Sequence, residues 1–208
     1  MILFVDCEAS SLSPASYPIE VGWVDEAGRG GCCLVRPAPG WTDWDPAAER
    51  LHGISRGMLR AEGLPVAEAA RRFMDAAGAD GAAPASDNPA WDGFWLGRLL
   101  RAAGLTERLP LLADLGALHL RACHPLLGLL APPDSPERPA SERRVRAAAE
   151  RAITAAQAAH GHLHRHRALP DAECMRRTWL GVREGVAREL ARHGRDGAGQ
   201  SSATWSAT

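Results

Sequence analysis

An α/β fold with its strands first and its helices afterwards is what this sequence predicts, on three observations. Residues 1–36 hold three short apolar or alternating runs with strand character. From Pro65 the apolar side chains recur at three-to-four spacing, as on a helix. A further helical stretch, about 117–160, stands as an insertion before the last helix.

Taken in order, Ile2 to Asp6 is a short apolar run with β-branched residues, hence a buried strand. Ile19 to Asp25 alternates, with Ile19, Val21 and Trp23 set against Glu20, Gly22 and Val24, and Gly30 to Arg36 is a third strand. Asp25-Glu26-Ala27-Gly28 between them suits a hairpin turn. Prolines bound two segments, 37–46 and 63–65. Val66, Ala69, Ala70, Phe73, Met74 and Ala77 then mark a helix, with Pro65 suited to its start. Ala82 to Ser86 is a short strand, and Pro89 to Ala103 a helix carrying Trp91, Phe94, Trp95, Leu96, Leu99 and Leu100. Leu109 to Leu115 resembles another strand, followed by helix through Leu130. Four prolines make 131–139 a loop, Ser141 opens a helix to about Ala159, and the last helix starts naturally at Pro170 and ends near His193-Gly194. The expected organisation is a single domain over 1–194, with a loose tail at 195–208.

Composition narrows the class. With 46% hydrophobic and 24% charged residues, the chain resembles a soluble globular protein. No run approaches the roughly 18 uninterrupted apolar residues of a membrane span. The N-terminal Met1-Ile2-Leu3-Phe4-Val5-Asp6 has no basic region ahead of its apolar run, which argues against a signal peptide. Five cysteines, odd in number and without CxxC spacing, suit reduced thiols in a cytoplasmic protein. Net charge is −1, yet residues 1–104 hold 14 acids against 9 arginines and the remainder 11 against 15. Such a division suits a metal site beside an anion-binding surface, and ordinary surface scatter equally.

Three constellations carry chemistry. Asp6-Cys7-Glu8 ends the first strand, where residues two apart share a face. Asp6 and Glu8 therefore point together and repel one another unless a cation lies between them. Oxygen-only ligands suit Mg²⁺ or Mn²⁺ better than zinc. Asp87-Asn88-Pro89-Ala90-Trp91-Asp92 places Asp92 in the first turn of a helix, where the dipole tolerates an anion and a capping role is the simplest reading. In His166-Arg167-Ala168-Leu169-Pro170-Asp171, Asp171 falls in the first turn of the last helix, and His166 on the loop before it is able to swing over a substrate.

Together and in this order, the three resemble the motifs of the DEDDh group of 3′–5′ exonucleases, which includes ribonuclease T, oligoribonuclease and the proofreading subunit of replicative polymerase. Asp6 and Glu8 match the first motif, Asp92 the second, His166 and Asp171 the third; 18–22 and the loop His52-Gly53-Ile54-Ser55 support the match. The resemblance covers roughly 1–190 and implies a ribonuclease-H-like mixed central sheet flanked by helices. It implies two divalent ions, Mg²⁺ or Mn²⁺, about 4 Å apart on the scissile phosphate. Asp6, Glu8 and Asp171 would hold one, and Asp6, with Asp92 acting through water, the other. His166 would take the proton of the attacking water, a role that imidazole side chains serve near neutral pH. Ala9, Ser10, Ser11 and Leu12 would receive the terminal nucleotide, with Leu12 against the last base; the commonest family residue at Ala9 is threonine, so one hydroxyl contact is missing.

The expected partner is a single-stranded RNA or DNA 3′ end, with no membrane, and a homodimer built on the 117–160 insertion is an assembly the resemblance allows. Two alternatives stand beside this reading: an oligoribonuclease-like enzyme confined to very short RNAs, and a non-catalytic nucleic-acid-binding module on the same fold. The alternating His160, His162, His164 and His166 suit either a transition-metal site or a polar approach to the last helix. Arg165, Arg167, Arg176 and Arg177 are candidates for phosphate contact. Trp91, Phe94 and Trp95 read as core or pocket wall, whereas Trp41 and Trp44, in a proline-rich loop, are harder to place in a core.

Overall fold

A computed structural model describes residues 1–78, 81–105, 111–161 and 166–200. A five-stranded sheet, ordered β3-β2-β1-β4-β5, organises the first part of the chain. Its strands are β1 (Ile2–Ala9), β2 (Pro18–Asp25), β3 (Gly30–Leu34), β4 (Ala83–Ser86) and β5 (Ala113–Asp114). β1, β2 and β3 pair antiparallel, and β4 and β5 join in parallel on the other side of β1. The sheet is thus mixed, as the resemblance implies. β2 and β3 are joined at the expected turn: Gly28 takes φ +86°, a conformation that glycine adopts without strain, and its N–H donates to the Asp25 carbonyl at 3.0 Å.

The helices are α1 (Pro46–His52), α2 (Arg56–Glu62), α3 (Val66–Gly78), α4 (Pro89–Ala102), α5 (Leu115–Ala122), α6 (Arg138–His160) and α7 (Ala168–Gln200), with a 3₁₀ segment over His124–Leu129. Several boundaries differ from the sequence reading. β1 continues to Ala9, past the first carboxylate, because its outward positions need not be apolar. The helices α1 and α2 were hidden between prolines; Asp45 and Ser55 cap them, accepting from the N–H groups of Ala47 and Met58. α6 begins at Arg138, three residues before Ser141, since Pro139 in the first turn has no N–H that a partner must satisfy. α7 likewise begins two residues before Pro170 and runs past Gly194, a residue that costs a helix only about 1 kcal/mol. β5 is two residues long, and part of the expected 109–115 strand lies outside the described residues.

Contacts divide the chain into two compact units. The first comprises Met1–Leu115 and the stretch ending at Arg176; the second comprises Gly116–Gly161 and the chain from Arg177 on. In the first, Leu3, Val5, Cys7, Val21, Phe73, Trp95, Leu96, Leu99 and Leu100 form a core between the sheet and α3 and α4. In the second, Ala148, Ala152 and Ala156 of α6 pack with Val182 and Val186 of α7 and with Leu126. Among the described residues, no helix is long and apolar enough to cross a membrane.

Candidate active site

Along β1 the side chains alternate, so Cys7 enters the core while Asp6 and Glu8 emerge half-buried on the other face. On β2, Gly22 lies opposite Asp6 and Glu20 opposite Glu8. Gly22 leaves room for α7 to begin directly over the strand. A Cβ there would sit 2.7 Å from the Ala168 carbonyl oxygen, and closer still to the Ala168 carbonyl carbon and the Leu169 nitrogen. Glu20 completes the seat: Arg167 donates to it through Nε at 2.9 Å and Nη2 at 2.7 Å, and the Ala168 N–H donates at 2.9 Å. These contacts dock the start of α7 on β2 and bring Asp171, 3% exposed, beside Asp6 and Glu8. Asp171 also accepts the Arg167 N–H at 3.2 Å.

Asp92 arrives from the opposite side. It is 2% exposed in the first turn of α4. Its Oδ1 accepts the Cys7 N–H at 3.1 Å and its Oδ2 the Ser86 hydroxyl, while Ser86 Oγ accepts the Asn88 N–H at 2.9 Å. One carboxylate thereby ties β1, β4 and α4 together, which is more than the capping role its position suggests. His166 borders the same cavity with φ +52°, a left-handed conformation uncommon for a residue with a side chain. The cavity holds about 360 Å³ and is lined by Asp6, Glu8, Asp87, Asp92, Trp95, His166 and Asp171, among others. All five motif residues predicted from the sequence thus border one space.

Electrostatics in this space are adverse to charge. Burial, and then the charges of Asp92, Glu8, Asp171 and Asp87, hold the Asp6 carboxyl well above the usual carboxylate range. Glu8 is pushed up to about 8 by burial and by Asp171, Glu20 and Asp92, with Arg167 opposing. Asp92 is pushed up to about 7 by burial, and the Ser86 hydrogen bond opposes the rise. Carboxylate oxygens of Asp6, Glu8 and Asp171 lie within 4.8 Å of one another, as do those of Asp6, Asp87 and Asp92. Two oxygen-only groups sharing Asp6, each disfavouring its own ionisation, are a donor set that fits hard divalent cations. Asp87 was not singled out from sequence; it directly follows β4, and its place beside Asp92 in the chain was the available signal.

The residues after β1 form a tied loop. Ala9, Ser10 and Ser11 are buried, and Leu12 stands 70% exposed. The hydroxyls of Ser10, Ser11 and Ser13 donate to the Asp43 carboxylate at 3.1, 2.5 and 2.9 Å, which holds that carboxyl below its ordinary value. Trp41, hard to place from sequence, stacks on buried Tyr17 at 5.1 Å and packs against the core, and Trp44 donates to Glu49 at 2.7 Å. Trp95 is both core and cavity wall, and its Nε1–H donates to Ser16 at 2.9 Å. Two candidate phosphate ligands are otherwise engaged: Arg167 with Glu20, and Arg176 with Glu173 at 2.6 Å. His162, His164 and Arg165 lie outside the described residues.

No family model matches the chain, and no curated protein matches its sequence. Solved structures do match. A zinc-bound complex of E. coli exonuclease I with single-stranded DNA superposes with a TM-score of 0.62 at 17% identity, over 92% of this chain and 42% of that one. Exonuclease I of Methylocaldum szegediense gives a TM-score of 0.60 at 22% identity, over 88% of this chain and 40% of that one. E. coli exonuclease I with a dT13 oligonucleotide gives 0.59 at 18% identity, over 92% and 42%. The chain spans about two-fifths of the length of these proteins and shares their fold, the ribonuclease-H-like exonuclease fold that its motifs resemble.

Proposed function

We propose that this chain is a divalent-metal-dependent 3′–5′ exonuclease that hydrolyses single-stranded nucleic acid and releases nucleoside 5′-monophosphates. The observation that carries the reading is the convergence of Asp6, Glu8, Asp92, Asp171 and His166, drawn from β1, α4 and the start of α7, on one cavity. The fold shared with exonuclease I structures, two of them solved with single-stranded DNA, supports it.

Asp6, Glu8 and Asp171 would hold one Mg²⁺ or Mn²⁺, and Asp6 with Asp87 and Asp92 a second. When bound, such ions neutralise charge on the scissile phosphate and on the departing 3′ oxygen and ease ionisation of water. The chain's own residues do the rest. Asp92 keeps β1, β4 and the N-terminus of α4 in register through its bonds to Cys7 and Ser86. Glu20 and Gly22 set the start of α7, and hence Asp171 and His166, over β1. His166 accepts the proton of the attacking water on a ring nitrogen as the water oxygen bonds to phosphorus and the bond to the 3′ oxygen breaks. The 10–13 loop, with Leu12 exposed, receives the terminal nucleotide; Ser10 and Ser11 act by holding the loop, since their hydroxyls already serve Asp43.

The test uses 5′-labelled single-stranded RNA and DNA of one sequence with Mg²⁺ or Mn²⁺, against EDTA and Asp6→Ala. A metal-dependent ladder shrinking from the 3′ end, absent in the variant, is expected, and the faster polymer identifies the substrate. Absence of cleavage by folded, metal-binding protein, on long and very short strands alike, overturns the proposal in favour of a binding module.

A further inference from the structure

Charge separates between the two units. By sequence the unit with the carboxylate cavity has 18 acids against 13 arginines, and the other has 7 acids against 11 arginines. Within the second unit three of the eleven arginines line one cleft of about 500 Å³, which is bounded by Ala140, Arg143, Arg144, Ala147 and Arg151 of α6 and His193 of α7. No acid lines it.

The helix itself explains the grouping. Positions 140, 143, 144, 147 and 151 recur at three-to-four spacing and share one stripe of α6. The alanines at 140 and 147 keep the stripe hollow between longer arginine side chains. Two of the acids nearby are paired. Glu142 pairs with Arg138 at 2.7 Å. Buried Glu189 takes two partners, Arg151 at 2.7 Å and Arg192 at 3.0 Å. Arg143 and Arg144 are exposed and form no ion pair among the described residues. The cleft thus presents guanidinium groups, planar forks matched to phosphate oxygens, with two of them uncommitted.

We infer that this α6–α7 cleft is a second nucleic-acid contact, binding the phosphodiester backbone of a single strand through Arg143 and Arg144, with Arg151 fixed beside them. The inference rests on the nuclease reading for its choice of polyanion. A backbone of one negative charge per nucleotide complements a cleft lined by three arginines, whereas the carboxylate cavity repels the same polymer until cations fill it. The basic unit would supply the attraction that the acidic unit lacks.

The experiment measures binding of a labelled single-stranded oligonucleotide to the full chain in EDTA, by fluorescence anisotropy across a salt series, so that no cleavage is involved. Arg143→Ala with Arg144→Ala is compared with a charge-matched control, Arg60→Ala with Arg121→Ala, at exposed positions outside the cleft. The expected result is an affinity loss of about fivefold or more at low salt. The salt slope should also shallow by about 1.4, roughly 0.7 for each phosphate contact removed. Arg143→Glu with Arg144→Glu should lose more, and the control should keep the wild-type slope. Unchanged affinity and slope in the double variant, or an equal loss in the control, overturns the inference. The nuclease reading fails separately, by absence of metal-dependent cleavage, and a cleft-dependent binding curve would survive that failure.

Discussion

Removing metal should make this protein less stable as pH rises through neutrality, and the cavity gives the size of the effect. Glu8 is held near 8 against an ordinary 4.5, Asp92 near 7 against 3.8, and Asp6 is raised as well. A raised carboxyl keeps its proton in the folded state at a pH where the unfolded chain has lost it. The folded state therefore binds more protons between about 4.5 and 8, and stability falls as pH climbs across that window. Each pH unit is worth at most about 1.4 kcal/mol per group. Solvent screening at half-exposed Glu8, and the fact that these neighbours share each other's repulsion, reduce the sum to about 2 kcal/mol. For a chain of this size that is about 4–8 °C in Tm. Saturating Mg²⁺, bound only by the folded carboxylates, should restore a similar amount when its concentration is about a hundred times Kd. Thermal melts in EDTA and in Mg²⁺ from pH 5 to 8 should diverge as pH rises, and Asp6→Asn should narrow the gap. An EDTA curve that is flat or rises toward pH 8, or a Mg²⁺ increment equal at both ends, would refute the assignment of these shifts to the cavity.

Three further perturbations test how the site is held. Gly22→Ala puts a methyl group against the backbone of Ala168 and Leu169, and neither can turn aside. It should cost about 1–3 kcal/mol of stability and, by shifting Asp171 by about 1 Å, about 10²-fold in kcat; urea denaturation and steady-state cleavage read both. Arg167→Ala should be worse than Glu20→Ala. The first strands a buried carboxylate, at about 3 kcal/mol, whereas the second leaves an arginine that already reaches water and orphans one buried N–H, that of Ala168, at about 2 kcal/mol. Equal urea midpoints for the pair would contradict this ordering. Asp43→Ala removes the shared acceptor of three serine hydroxyls and should cost about 1–2 kcal/mol. Its kinetic signature is a raised KM for short oligonucleotides with kcat nearly unchanged, because the loop and not the carboxylate cluster is disturbed.

The motif carboxylates were legible because their chemistry survives translation into one dimension. Asp6 and Glu8 share a face through strand alternation, Asp92 and Asp171 stand as acids at helix starts, and the resemblance to the exonuclease motifs is what joins them into one set. The seat beneath them was not legible. Gly22 belongs to the 18–22 segment that supports the resemblance, but what its missing side chain makes room for is not readable until α7 is laid across it, since no local pattern signals which helix will come. Asp43 reads as one more polar residue of a proline-rich loop, yet it collects hydroxyls from a segment about thirty residues earlier. α1 and α2, seven residues each, carry too few turns for a periodic signal, and their caps became meaningful only once the helices were present. Arginine misled in the other direction, since the guanidinium beside the last motif looks like a phosphate ligand and is in fact spent on Glu20.

That last substitution of roles explains how a cluster that opposes its own charge stays assembled. The five acids of the cavity gain nothing from one another, so the energy that gathers them must come from groups outside it. Glu20 and Arg167 supply it on one side, with three hydrogen bonds holding the start of α7. On the other, Asp92 is held through Cys7 and Ser86, and the apolar core beneath Cys7, Trp95 and Leu96 fixes β1 against α4. The repulsion is then a property of a preorganised space, one that a divalent cation relieves on binding without having to build the site. Substitutions in the seat should therefore weaken metal binding even though they touch none of the cavity carboxylates, and substitution of a single one of these, such as Asp6→Asn, should leave the fold standing and raise its stability in EDTA.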